Sequence, residues 1–314
     1  MMSPARDPAP TGVLAPPDPA LARLKRRVTM ASLCVALALV ALKIAAAIMT
    51  GSVSILSSLV DSVSDAGASL VTLLAVRQAM RPADAGHRFG HGKAEPLAAM
   101  GQALFVAGSA LLLTVEAVRR LFQPEPVGEG TIGIAVMVIA IVVTLVLVRY
   151  QADVQAKTGS MAVGADRLHY TGDLLINLGV ITSIVLSQYL GITEADPVIA
   201  VLIALHLLRG AWGIGRSALD ALMDHELPAE DRARIRAIIL AVPGVKGMHD
   251  LRTRSSSVHT FIQMHLELLP DQSLAHAHTI ADEAERRLRV HYPEAEIITH
   301  LDPMGHDEAI PRFR

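Results

Sequence analysis

Six apolar runs, each long enough to cross a bilayer as a helix, fill most of the chain between Val28 and Ile214. A span needs about 20 such residues. Inside hydrocarbon every backbone N–H and C=O must be satisfied within the segment, so runs of this length commit the chain to a helical membrane fold. The expected spans are Val28 to Thr50, Val53 to Ala79, Glu95 to Phe122, Thr131 to Tyr150, Met161 to Leu190 and Pro197 to Ile214. Only 18% of the 314 residues are charged, against about 25% in an ordinary soluble domain.

The short loops give the orientation. Arg23, Lys25, Arg26 and Arg27 precede the first span. Arg81, Arg88 and Lys93 lie between the second and third, and Arg149, Lys157 and Arg167 flank the link from fourth to fifth. The opposite loops, Gly51-Ser52 and Gly191 to Asp196, hold no Lys or Arg. Positive residues stay in the cytoplasm, so both termini are expected there. Arg119 and Arg120, at the far end of the third span, run against the pattern.

Residues 1–20 are rich in Pro and Ala and read as a disordered tail. Residues 21–223 form the six-helix membrane domain, 224–303 a cytosolic α+β domain and 304–314 a C-terminal tail. In the cytosolic part, helices are expected over Leu227 to Ala241 and Ser273 to Tyr292. Strands are expected over Met248 to Thr253, Val258 to Leu268 and Glu296 to Leu301. That αββαβ order suggests a small two-layer domain.

The single cysteine, Cys34, excludes an intrachain disulfide and multi-thiolate metal sites. A net charge of −2 without a basic stripe gives no sign of nucleic-acid binding. Metal chemistry must then fall to carboxylates and to the 13 histidines.

Asp61 and Asp65 lie in the second span at i,i+4 spacing, and His169 and Asp173 repeat that spacing in the fifth. Each pair shares one helix face. An ionised group at the bilayer centre costs about 2.5–3.5 kcal/mol, so such residues need a partner and mark a functional site by default. A divalent cation bound by three carboxylates and an imidazole supplies that partner; a proton relay or a water cavity is the alternative. Asp84, His87 and His91 offer three ligands in a glycine-rich loop, which could equally be a solvated link. His249, His265, His278 and His300, with Asp302, form a third set in the soluble part. His300 and Asp302 share a sheet face, being two apart on a strand. His225, His259, His276, His291 and His306 read as surface histidines, and His206 as a residue of the bundle. Glu116 and Lys43 are expected to be paired or snorkelling.

The segments Ser57-Ser-Leu-Val-Asp-Ser-Val-Ser-Asp65, Phe89-Gly-His-Gly-Lys-Ala-Glu95, His169-Tyr-Thr-Gly-Asp173, His249-Asp-Leu-Arg-Thr-Arg254 and Ile298-Thr-His-Leu-Asp-Pro303 together resemble the cation diffusion facilitator family, in its bacterial zinc and ferrous-iron efflux branch. The resemblance spans about Leu21 to Pro303. It implies a homodimer in the bacterial inner membrane, with six transmembrane helices and a metallochaperone-like cytosolic domain. It implies a transport site at Asp61, Asp65, His169 and Asp173, and a loop site at Asp84, His87 and His91. It also implies a binuclear site on His249, His265, His278, His300 and Asp302, and a dimer-locking salt bridge between Lys93 and Asp224. Leu301 occupies a position where relatives can carry a polar residue.

The function so implied is proton-coupled export of a divalent cation by alternating access, with Zn²⁺ as cargo and Fe²⁺ or Cd²⁺ as further candidates. The ligands must be deprotonated to bind metal, so protons compete at the same atoms. The absence of thiolates argues against Cu(I). A membrane metalloenzyme is disfavoured, since no His-Glu-x-x-His motif occurs and four protein ligands leave no open position. A metal sensor that transports nothing is the remaining reading.

Overall fold

The computed structural model describes residues 18–50, 53–122, 131–190, 192 and 194–305. Most of both expected tails, including His306, lies outside the described residues, as does the Gly51-Ser52 loop. Among the described residues, six helices are long and apolar enough to span a membrane: α1 (Pro19–Thr50), α2 (Val53–Ala79), α3 (Ala94–Phe122), α4 (Thr131–Thr158), α5 (Met161–Leu190) and α6 (Ala195–Leu222). The protein is a multi-pass membrane protein.

α1 begins well before the expected Val28. Asp18 starts it by accepting the Ala20 amide at 2.8 Å. Hydropathy misses this first part because Arg23, Lys25, Arg26 and Arg27 are basic, but the backbone continues regardless. α4 and α6 likewise run past their apolar stretches, to Thr158 and Leu222.

The chain folds as two compact units, residues 18–81 with 91–222 and residues 82–90 with 223–305. In the membrane unit α3 packs most extensively on α6, α1 packs on α2 and α4, and α5 packs on α4, α6 and α3. Small residues allow the close approach of α5 and α6. A Cβ on Gly210 would lie 2.7 Å from Leu168 Cδ1, and one on Gly179 would lie 2.9 Å from Ile203 Cδ1.

Two ion-pair networks tie the helices. Lys25 Nζ on α1 lies 2.7 Å from Glu95 Oε1 on α3, and Ser160 Oγ donates to Glu95 Oε2 at 2.5 Å; all three are buried. Glu116 pairs with Arg119 and Arg120, and Arg120 reaches Asp196 at 3.0 Å. These pairings neutralise the two arginines that ran against the charge pattern.

The second unit holds α7 (Ala229–Leu240), β1 (Gly247–Ser255), β2 (Thr260–Leu268), α8 (Leu274–His291) and β3 (Ala295–Pro303). The sheet order is β1-β2-β3, with β1 antiparallel and β3 parallel to β2. Ile235 and Ile239 of α7, Ile280 and Leu288 of α8, and Ile262, Met264 and Leu266 of β2 form the core. Each such side chain contributes about 1.5–3 kcal/mol on burial. Leu301 packs against this core, which accounts for an apolar residue between His300 and Asp302. Ser273 caps α8 by accepting the His276 amide. The loop at 82–90 belongs to this unit through Phe89, whose ring meets Phe261 edge-on at 5.7 Å, with the Arg254 guanidinium 4.9 Å from one ring and 4.3 Å from the other.

Candidate metal centres

The i,i+4 spacing on α5 brings His169 and Asp173 to one face, and that face meets α2 at Asp65. His169 Nε2 lies 3.0 Å from Asp65 Oδ1 and 3.6 Å from Asp173 Oδ2. One ligand atom from each of the three falls within 4.8 Å of the others, so a single small cation could touch all three. Asp61, one turn away on α2, is exposed and stands outside this cluster. The His169 ring is 6% exposed and is held between Phe105 on α3 and Tyr170, with centroids 5.5 and 5.4 Å away. Phe105 also lines a groove of about 980 Å³ between α2 and α3, beside Ser64, Gln102 and Arg77.

A polar network that sequence reasoning missed adjoins this cluster. Asp166, one turn before His169, is 1% exposed. It accepts from Gln151 Nε2 at 2.8 Å and from Ser69 Oγ at 3.5 Å. Gln151 also donates to Ser32 Oγ, and Tyr170 hydrogen-bonds Ser69 Oγ at 2.7 Å and the Ser32 carbonyl at 3.1 Å. Four helices, α1, α2, α4 and α5, thus meet on one carboxylate. The signal was available on α5, where Asp166, His169, Asp173 and Asn177 make a polar stripe at helical spacing.

In the loop, Asp84 Oδ1 accepts the amides of Gly86 and His87 at 2.9 and 2.8 Å and lies 3.3 Å from His87 Nδ1. This is an Asx turn, in which the carboxylate organises its own loop. Gly90 closes the loop at φ 76°. His91 belongs to the membrane unit, just before α3, and is buried. Lys93 Nζ donates to the Leu222 carbonyl at 3.1 Å. Asp224 lies 3.2 Å from Arg254 Nη1.

In the soluble unit the strand register builds the third centre. His249, His265 and His300 sit side by side across the three strands. The neighbouring rung on the same face is Gly247, Glu267 and Asp302. Asp302 is 5% exposed and gathers the histidines: His265 Nδ1 lies at 2.8 Å, His300 Nε2 at 3.1 Å and His249 Nε2 at 3.5 Å. Glu267, which sequence reasoning did not single out, holds the other nitrogen of His249, Nδ1, at 3.0 Å. Gly247 makes room for it, since a Cβ there would lie 2.5 Å from Glu267 Oε2. Asp250, at φ 47° beside the irregularity in β1, approaches His265 Nε2 at 3.9 Å.

His278 does not join this group in the single chain. It is 72% exposed on α8, with Nε2 3.6 Å from Asp282. His259 is buried rather than a surface residue, and burial pushes its imidazole below the ordinary value against a backbone hydrogen bond at Glu294. His206 is exposed on α6 rather than turned into the bundle.

Residues 29–223 match the model of the cation efflux transmembrane domain, and residues 227–304 that of the cation efflux protein cytoplasmic domain. A cation-efflux pump FieF from Cronobacter sakazakii is 44% identical over 93% of this chain and 96% of its own length. Another from Shewanella oneidensis is 46% identical over 87% of this chain and 92% of its own. Among solved structures, the metal-bound C-terminal domain of the CzcD transporter from Thermotoga maritima covers 26% of this chain and 100% of its own, at 22% identity and a TM-score of 0.24. With membrane and cytoplasmic models both matched and such relatives spanning nearly the whole chain, the protein belongs to the cation diffusion facilitator family, which comprises cation-efflux transporters rather than enzymes.

Proposed function

We propose that the chain exports divalent cations, with Zn²⁺ as the first cargo and Fe²⁺ or Cd²⁺ as further ones, in exchange for protons. The observation that carries this reading is the convergence of Asp65, His169 and Asp173 within two membrane-spanning helices. Two carboxylates and an imidazole form an N/O donor set suited to zinc. A change of the Asp61 rotamer on metal entry completes the four-ligand set. The ion reaches the site from the cytosol along the α2–α3 groove, whose wall includes Phe105 beside His169.

Access then alternates around a fixed site, with α3 and α6 moving as a pair against the other four helices. The hydrogen bonds on Asp166 keep those four together, so α2 and α5 carry their ligands as one body. On the outer side, protons displace the cation from the same atoms. The empty, protonated site returns inward.

The chain works as a homodimer in the bacterial inner membrane with both termini in the cytoplasm, and Lys93 and Asp224 serve as the lock implied by the family resemblance. Residues 21–223 carry transport and 224–303 regulation. The loop set Asp84, His87 and His91 is assigned a cation on the family resemblance. His249, His265, His300 and Asp302 hold the regulatory metal, with His278 as the remaining member implied by the resemblance. Metal there cannot cross the membrane, so it acts by favouring one conformational state. The test is zinc flux in liposomes holding the purified chain, with Fe²⁺, Cd²⁺, Co²⁺ and Mn²⁺ as competitors. Zinc transport suppressed by Fe²⁺ and Cd²⁺ is expected, and absence of flux for all five refutes the reading.

A further inference from the structure

Lys43 lies on α1 within the membrane-spanning region, where a charged side chain costs about 2.5–3.5 kcal/mol. A lysine with no task there would snorkel toward water. This one turns to α2 instead. Its ammonium donates to Ser62 Oγ at 2.7 Å and to the Ser58 carbonyl at 3.0 Å. Both acceptors are neutral, and both belong to the stretch of α2 that carries Asp61. Ser62 directly follows Asp61 and lies three residues before Asp65 on α2, so the ammonium is held at the level of the α2 carboxylates. The serines therefore hold a positive charge in the field of the transport site without letting it dock on a ligand.

We propose that Lys43 is a fixed counter-charge of the transport site, a positioning residue that limits how tightly a divalent cation is held and so allows its release. The proposal rests on the assignment of Asp61, Asp65, His169 and Asp173 as that site. Three carboxylates bring three negative charges, and a divalent ion with one ammonium brings three positive ones. The loaded site is then neutral. Without the ammonium it keeps one negative charge, which attracts the cation more strongly in a medium of low dielectric constant. Cation affinity rises and departure slows.

The experiment is the initial rate of zinc transport against zinc concentration in proteoliposomes holding the full chain. Lys43→Met, which keeps the length of the side chain, is expected to lower KM about tenfold or more and to lower kcat. Lys43→Arg, which keeps the charge, is expected to move both back toward the unsubstituted values. An unchanged or raised KM in Lys43→Met overturns the proposal. If Lys43→Met does not fold, Lys43→Gln is read the same way, since its amide can still donate to Ser62. If the variant folds but moves no zinc, equilibrium zinc binding decides. It is measured with the other sites removed by His87→Ala, His265→Ala and Asp302→Ala. Tighter binding supports the proposal, and equal or weaker binding overturns it. Asp65→Asn run alongside separates the two failures. Normal transport by Asp65→Asn rejects the site itself. Loss of transport there, with an unaltered KM in Lys43→Met, rejects only the counter-charge.

Discussion

His169 Nε2 on α5 lies 3.0 Å from Asp65 Oδ1 on α2, so one imidazole joins the two helices that supply the carboxylates. A proton or a divalent cation can occupy the space between these atoms, but not both at full strength.

The proposed exchange rests on that competition. An inward-directed proton gradient is expected to accelerate zinc efflux several-fold, and a protonophore to remove the acceleration. The measurement is zinc flux in liposomes with the pH set independently on each side. Flux indifferent to both pH values indicates a uniporter.

Asp166 holds α1, α2, α4 and α5 together through Gln151, Ser69, Ser32 and Tyr170. Asp166→Leu takes one acceptor from the buried Gln151 amide and one from the buried Ser69 hydroxyl, at about 1–3 kcal/mol for each group. Its melting temperature in detergent is expected to fall by several degrees, and Asp166→Asn, which keeps an acceptor oxygen, to fall less. Equal melting of Asp166→Leu and the unsubstituted chain would show that the network does not hold the four helices together.

Much of this was legible in the sequence because its physics is local. Apolar length marked the spans, and i,i+4 spacing placed His169 with Asp173. Strand alternation put His300 and Asp302 on one face. The α1 extension was hidden by its basic residues, which lower hydropathy without ending a helix. The network around Asp166 was hidden because Ser32, Ser69 and Gln151 lie on three different helices and only packing unites them. Glu267 needed the strand register, which brings it beside Asp302 and Gly247. His278 looked like the other domain histidines in sequence, yet α8 carries it to an exposed surface away from Asp302.

In the soluble domain Asp302 is the carboxylate on which three histidines converge. Asp302→Ala is expected to abolish the zinc-induced rise in that domain's melting temperature. Transport at saturating zinc is expected to persist, since Asp65, His169 and Asp173 are untouched. Calorimetry with and without zinc reads the first effect and liposome flux the second. Complete loss of flux in a folded, dimeric Asp302→Ala variant would show that the domain does more than regulate.

Burial holds the His259 imidazole below its ordinary value of 6.5, so the folded state favours the neutral ring. As pH falls, the unfolded chain takes up this proton first. The stability contributed by the neutral ring is therefore full above about pH 6.5 and declines as pH drops through the interval down to the folded-state value. Urea unfolding of the separate soluble domain is expected to give a lower midpoint at acid pH than at neutral pH. His259→Gln is expected to reduce that difference. A difference undiminished in the variant would assign the pH dependence to other groups.

The most direct measurement is zinc flux into liposomes holding the purified protein, compared among the unsubstituted chain, Asp65→Ala and Asp173→Ala. Each substitution removes one of the three groups gathered within 4.8 Å. Both variants are expected to fold and dimerise normally and to lose transport by about a hundredfold or more, the equivalent of ~2.8 kcal/mol. Near-normal flux in either folded variant would contradict the assignment of Asp65, His169 and Asp173 as the transport site.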